Sequence, residues 1–180
     1  MASPYFVSRD AVRVLSQYNI EMMAPDNAMA YGDIPNLPPG IIGTIRRNTN
    51  IVVDLAGDKA GALVLGYLTK FINPVDLRLY MVINPYRPFS WELQDIAELK
   101  AMLECFAQHP VTGMVSNPHL AEDTDFEVIV KGHRHVQEIA AIQGIPLVGL
   151  TVTDAFYHEA CLEFGEIVKQ INLYLRPDWL

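Results

Sequence analysis

Cysteine is scarce, two residues in 180, and basic side chains are outnumbered, 13 Lys and Arg against 21 Asp and Glu for a formal charge of −8. Cys105 and Cys161 lie far apart and neither belongs to a Cys-x-x-Cys pair. That excludes a disulfide framework, favours buried apolar thiols, and fits a reducing, cytoplasmic setting. The acidic balance argues against a nonspecific nucleic-acid binder, whose grip comes from cationic patches. The local runs Arg46-Arg47 and Lys131 to His135 read as solvated faces. No apolar stretch approaches the roughly 20 residues that span a bilayer, and no secretory leader is legible, so no membrane partner is expected. Two motifs are also missing. Without Gly-x-x-x-x-Gly-Lys-Ser/Thr the chain has no backbone cradle for a polyphosphate, and without Gly-x-Ser-x-Gly it has no nucleophile elbow.

What is present is a globular composition, 51% hydrophobic and 19% charged, at a length suited to one domain over residues 1–180. Ser8 to Tyr18 has helical spacing, Ile20 to Ala24 suits a short strand, and Pro25 to Gly43 is too rich in proline and glycine for regular structure. From Thr49 onward strands and helices alternate. Strands are expected at Asn50–Asp54, Leu77–Ile83, Val111–Ser116 and Pro146–Val152. Helices are expected at Lys59–Phe71, Trp91–Gln108 with Ser90 as its cap, Thr124–Gln143 opened by the box Thr124-x-x-Glu127 and stopped by Gly144, and Asp154–Leu173. Such alternation predicts an α/β fold: a mostly parallel sheet of about five strands with helices on both faces, a three-layer Rossmann-like sandwich.

Polar side chains recur at the carboxyl ends of these strands: Asp54, in the turn Asp54-x-x-Gly57, then Asn84 and Asn117, each followed by proline. That rim of an open parallel sheet is where ligands bind. Asn and Asp also follow strands because their side chains close turns, and Asn-Pro is a turn signal in its own right. Both readings stand for each residue. The histidines do not suggest a metal centre: His133 and His135, two apart on a helix, point about 200° from one another, so they read as exposed or helix-end residues.

Read in order, Pro4-Tyr-Phe-Val-Ser-Arg9, Asp54-Leu-Ala-Gly57-Asp58-Lys-Ala-Gly61, Val82-Ile-Asn84-Pro85, Val115-Ser-Asn117-Pro118-His-Leu120 and Gly144-Ile-Pro146-Leu-Val-Gly149 resemble the MinD/ParA/CobQ–CobB nucleotide-binding domains. These are P-loop hydrolases with a deviant Walker A lysine. The resemblance implies ATP and Mg2+ as cofactors. It places Asp54 at the magnesium ion, Asp54 and Gly57 in the catalytic turn, and Asn84, Asn117 and Pro118 on the nucleotide, Asn117 at the adenine edge.

In that family the P-loop strand precedes the Pro-Tyr-Phe motif, and it lies between the strands ending at the Asp54 and Asn84 positions. The chain therefore reads as an ATPase-type domain truncated before its P-loop, with that strand absent. Charge-assisted hydrogen bonds are worth roughly 1.5–3 kcal/mol each. Losing several removes as much as the ~8 kcal/mol of a micromolar complex. Tight nucleotide binding and hydrolysis by this chain alone are not expected. The strands flanking the gap should pair directly, or leave open edges that recruit a second copy or a P-loop-bearing partner. The alternative is a non-catalytic scaffold or protein-interaction module that keeps the family's sheet.

Overall fold

A computed structural model of the chain describes residues 12–24, 37–47 and 50–174. These divide into two compact units, one within residues 1–76 together with 106–108 and 173–180, the other formed by 77–105 and 109–172. The Pro4–Arg9 motif, the start of the first expected helix and most of the proline-rich segment lie outside the described residues.

The second unit carries the sheet. Strands β1 (Tyr80–Ile83), β2 (Gly113–Ser116), β3 (Leu147–Thr153) and β4 (Val168–Ile171) lie in the order β1-β2-β3-β4, and every neighbouring pair is parallel. Helices α4 (Leu93–Ala107), α5 (Phe126–Ile142) and α6 (Asp154–Phe164) make the crossovers. A right-handed crossover carries its helix over one face, and three successive steps in one direction keep all three helices on that face. Core composition agrees. Met81, Ile83 and Met114 pack with Ile96 of α4 and Val136, Ile139 and Ala140 of α5, while Leu150, Val152 and Val168 pack with Ile129 of α5 and Ala160 of α6. Each buried Val, Leu, Ile or Met side chain among them contributes about 1.5–3 kcal/mol. Tyr80, Val82 and Val148, on the other face, remain exposed. Within this unit helices cover one face, not the two expected.

Local sequence explains most boundaries. In α5 the buried positions Ile129, Gly132, His133, Val136, Ile139 and Ala140 follow helical spacing. Asp125, not Thr124, is its cap, accepting from Val128 N–H at 2.7 Å. Thr124 instead closes the preceding turn by donating to the Ala121 carbonyl. Gly144, at φ +64°, ends the helix, as expected of a residue without a Cβ.

Two strand assignments fail. Ile20–Ala24 and Asn50–Asp54 form no ladder among the described residues, so the sheet has four strands there and not five, and no direct pairing of Asn50–Asp54 with β1 occurs. Val52 is 96% exposed. β-Branched residues favour a strand only when a neighbour supplies its hydrogen bonds. One strand goes the other way: the last helix stops at Phe164, where Gly165 takes φ +70°, and Val168–Ile171 becomes β4. Cys105 is exposed and Cys161 half-buried, contrary to the buried-thiol reading. Cys105 sits two positions beyond Leu103, whose side chain packs on the core, and so faces away from it.

In the first unit α1 (Val12–Gln17), α2 (Ile41–Ile45) and α3 (Lys59–Leu68) are helical. Asp58 caps α3 by accepting from Gly61 N–H at 2.9 Å. A Cβ on Gly61 would lie 2.0 Å from the Ala56 carbonyl oxygen, so only glycine permits this turn to fold back on the helix.

His133 differs from its sequence reading. It is buried, with Nδ1 unpartnered among the described residues and its ring edge-on to Phe164 at 4.5 Å. Burial lowers its pKa from 6.5 to about 4. The unfolded imidazole takes a proton more readily than the folded one. The stability it contributes is therefore fully present above pH 6.5 and lost as pH falls through about 4. Urea midpoints measured between pH 7 and 4 should fall with acidification, and the fall should be shallower in His133→Leu.

Candidate functional site

Asn84 and Asn117 follow two adjacent parallel strands, which places them side by side on the carboxyl-end rim. The Asn117 N–H extends the ladder to the Ile83 carbonyl at 2.8 Å. The Asn84 side chain joins the two loops beyond the strands. Its Nδ2 donates to the His119 carbonyl at 2.9 Å, and its Oδ1 accepts from the N–H groups of Tyr86 and His119, each at 3.2 Å. Asn84 also opens a turn with Pro85, closed by Arg87 N–H to the Asn84 carbonyl at 3.1 Å. Asn117 Oδ1 accepts from Thr151 Oγ1 of β3 at 2.7 Å.

Between these loops is a cleft of about 200 Å3 lined by Val82, Asn84, Arg87, Asn117 and His119. His119 Nδ1 accepts from Ala121 N–H at 3.3 Å, which leaves the proton of the neutral ring on Nε2. Burial, and then the Arg87 guanidinium, lower the pKa of His119 below its ordinary value, so the imidazole is neutral at pH 7. The Arg87 guanidinium has no hydrogen-bond or ion-pair partner among the described residues.

Packing fixes the loops from behind. Pro118 and Pro85 are buried against α5 at Gly132, where a Cβ would lie 2.6 Å from Pro118 Cβ, 2.9 Å from Tyr86 Cε2 and 3.1 Å from Pro85 Cγ. The Tyr86 hydroxyl donates to the Val128 carbonyl at 2.7 Å, and burial, then Asp125, raise its pKa. Trp91 is stacked on His135 at 4.0 Å, and His135 Nε2 lies 2.6 Å from the Trp91 carbonyl oxygen. The loop ends in an exposed Phe89 at φ +60°, a conformation unfavourable for a bulky side chain.

Of the residues singled out in the sequence, Asn84 and Asn117 meet at one cleft and Pro118 packs beneath it. Asp54 and Gly57 belong to the first unit; both are exposed, and Asp54 has no partner among the described residues. Among the described residues no group of three or more His, Cys, Asp or Glu side chains could hold a metal ion, and no helix is long and apolar enough to cross a membrane. Arg87 and Thr151 belong to no motif, and His119, inside the Val115–Leu120 stretch, has no role assigned to it there. Their nearest signal is position, within three residues of an Asn-Pro pair or on the adjoining strand end. Comparison with protein-family models, curated proteins and solved structures gives no match to this chain.

Asn84→Ala would strand two N–H groups and a carbonyl. It should cost about 2–4 kcal/mol of unfolding free energy in chemical denaturation. Ser116→Ala removes a buried hydroxyl that has no partner among the described residues and should be neutral or slightly stabilising in the same assay. Gly132→Ala should cost about 1–3 kcal/mol by driving the proline loops off α5, with shifted amide resonances at Asn84 and Asn117.

Proposed function

We propose that the chain is an ATP-binding, ATPase-type domain of the MinD/ParA/CobQ class, a three-layer Rossmann-like sandwich that lacks a P-loop motif. Its carboxyl-end rim receives the nucleotide, and the chain is inactive by itself. The observation that carries this reading is the cleft between Asn84 and Asn117 at the ends of adjacent parallel strands, the rim where such sheets bind ligands. The family resemblance assigns Mg2+ to Asp54, which stands in the first unit on the exposed turn that leads into the Asp58 cap of α3. The phosphate-binding lysine and glycine-rich loop are not among the 180 residues, so the cation that would stabilise charge on a transferred phosphoryl group has to come from elsewhere.

A scaffold or interaction module is the second reading, and the edge of the sheet favours it. β1 pairs with β2 on one side and with no described strand on the other. Its Tyr80 and Val82 are exposed, as is Phe89 just beyond it. An uncovered parallel edge is a template for another chain. On this reading the partner is a second copy or a protein that brings the P-loop strand.

Titration with MgATP, followed by amide resonances, tests the first reading. Weak, millimolar binding is expected, with shifts at Asn84, Asn117 and the Asp54–Gly57 turn. Asp54→Asn should remove the magnesium dependence, and no phosphate should be released. Silence at all of these positions up to about 10 mM, under 3 kcal/mol of binding, would leave only the scaffold. Sedimentation across a concentration series then reports whether the chain self-associates.

A further inference from the structure

We propose that the cleft at the ends of β1 and β2 is an oxyanion site, taking a phosphate or carboxylate group on the Arg87 guanidinium. This rests on the reading of that rim as the ligand site and specifies what it holds. The reasoning is an inventory of hydrogen-bonding capacity. Asn84 is spent on backbone, its amide nitrogen on the His119 carbonyl and its oxygen on two N–H groups. The oxygen of Asn117 is engaged by Thr151, which leaves the amide nitrogen as the group with unused hydrogens. His119 accepts from Ala121 at Nδ1 and so presents Nε2–H. Arg87 lines the same cleft with its donor fork unengaged among the described residues.

What remains is a donor-rich set around one positive charge, in a chain whose formal charge is −8. Donors without matching acceptors suit a ligand group that only accepts, and a planar guanidinium fork fits the paired oxygens of a carboxylate or phosphate. A purine amino edge suits it poorly, because its N–H groups would compete for oxygens already engaged. Size agrees: about 200 Å3 is below the roughly 300–1,000 Å3 of sites for drug-sized ligands and ample for one oxyanion with part of its carrier. His119, kept neutral, supplies a hydrogen bond without a second charge, so Arg87 carries the electrostatic attraction.

The test uses the 180-residue chain labelled with nitrogen-15, titrated at constant ionic strength with inorganic phosphate, acetate and adenosine in turn. The proposal expects saturable phosphate- or acetate-dependent shifts at Arg87 Nε, the Asn117 side-chain amide and the His119 ring, and little response to adenosine. Arg87→Gln should weaken the oxyanion at least about tenfold, and Arg87→Lys should fall between the two. Arg87 is exposed, so both variants should fold; their unperturbed amide spectra verify this. Phosphate against acetate distinguishes a phosphoryl from a carboxylate source, and either supports the site. Adenosine shifting these residues while both anions fail would overturn the oxyanion assignment and leave the nucleotide reading standing. Failure of all three ligands would remove both. Anion shifts unchanged in Arg87→Gln would also overturn the proposal.

Discussion

A single amide side chain holds the carboxyl rim together. Asn84 makes three bonds, all to backbone, and two of them reach the loop after the neighbouring strand. Through the turn it opens, Asn84 sets Arg87. Through the His119 peptide it sets the imidazole on the facing wall. Gly132 completes the arrangement by letting α5 approach both prolines closely. The cleft therefore depends on a side chain buried in structural work, while the groups left to a ligand are its neighbours.

The sheet imposes a second constraint. Four parallel strands laid down in one direction put their right-handed crossovers on one face, which buries Ile83, Leu150 and Val168 and leaves Tyr80 and Val82 outside. Parallel sheets are ordinarily covered on both faces. The exposed face and the side of β1 that pairs with no described strand coincide at Val82, which also lines the cleft. Ligand site and open edge are thus contiguous, so a chain pairing along β1 would sit against the cleft wall, and the two functional readings draw on the same corner of the sheet.

Charge distribution fits that corner. Lys100 pairs with Glu104 and Arg134 with Glu163 on helix surfaces, contacts worth at most about 1 kcal/mol each. Arg87 differs in having no such partner and in facing a neutral histidine whose protonation it opposes. Its charge is uncompensated within the unit, and the donors around it are fixed by bonds that do not involve a ligand.

The alternation of strands and helices from residue 77 to 164 was legible in the chain, because hydrophobic spacing and the stop at Gly144 act within a few residues of one another, although the cap of α5 is Asp125 and not Thr124. So was the pairing of Asn84 with Asn117, since consecutive parallel strands end on one rim. The fate of Ile51–Asp54 was not legible: β-branched residues state a preference for a strand, but a ladder needs a neighbour that sequence does not name. The same holds for His133, whose helical position is local and whose burial against Phe164 is not. Arg87 and His119 show the division most clearly. Their identities were written in the chain, but which donors remain unengaged was decided by tertiary hydrogen bonds between residues up to 35 positions apart.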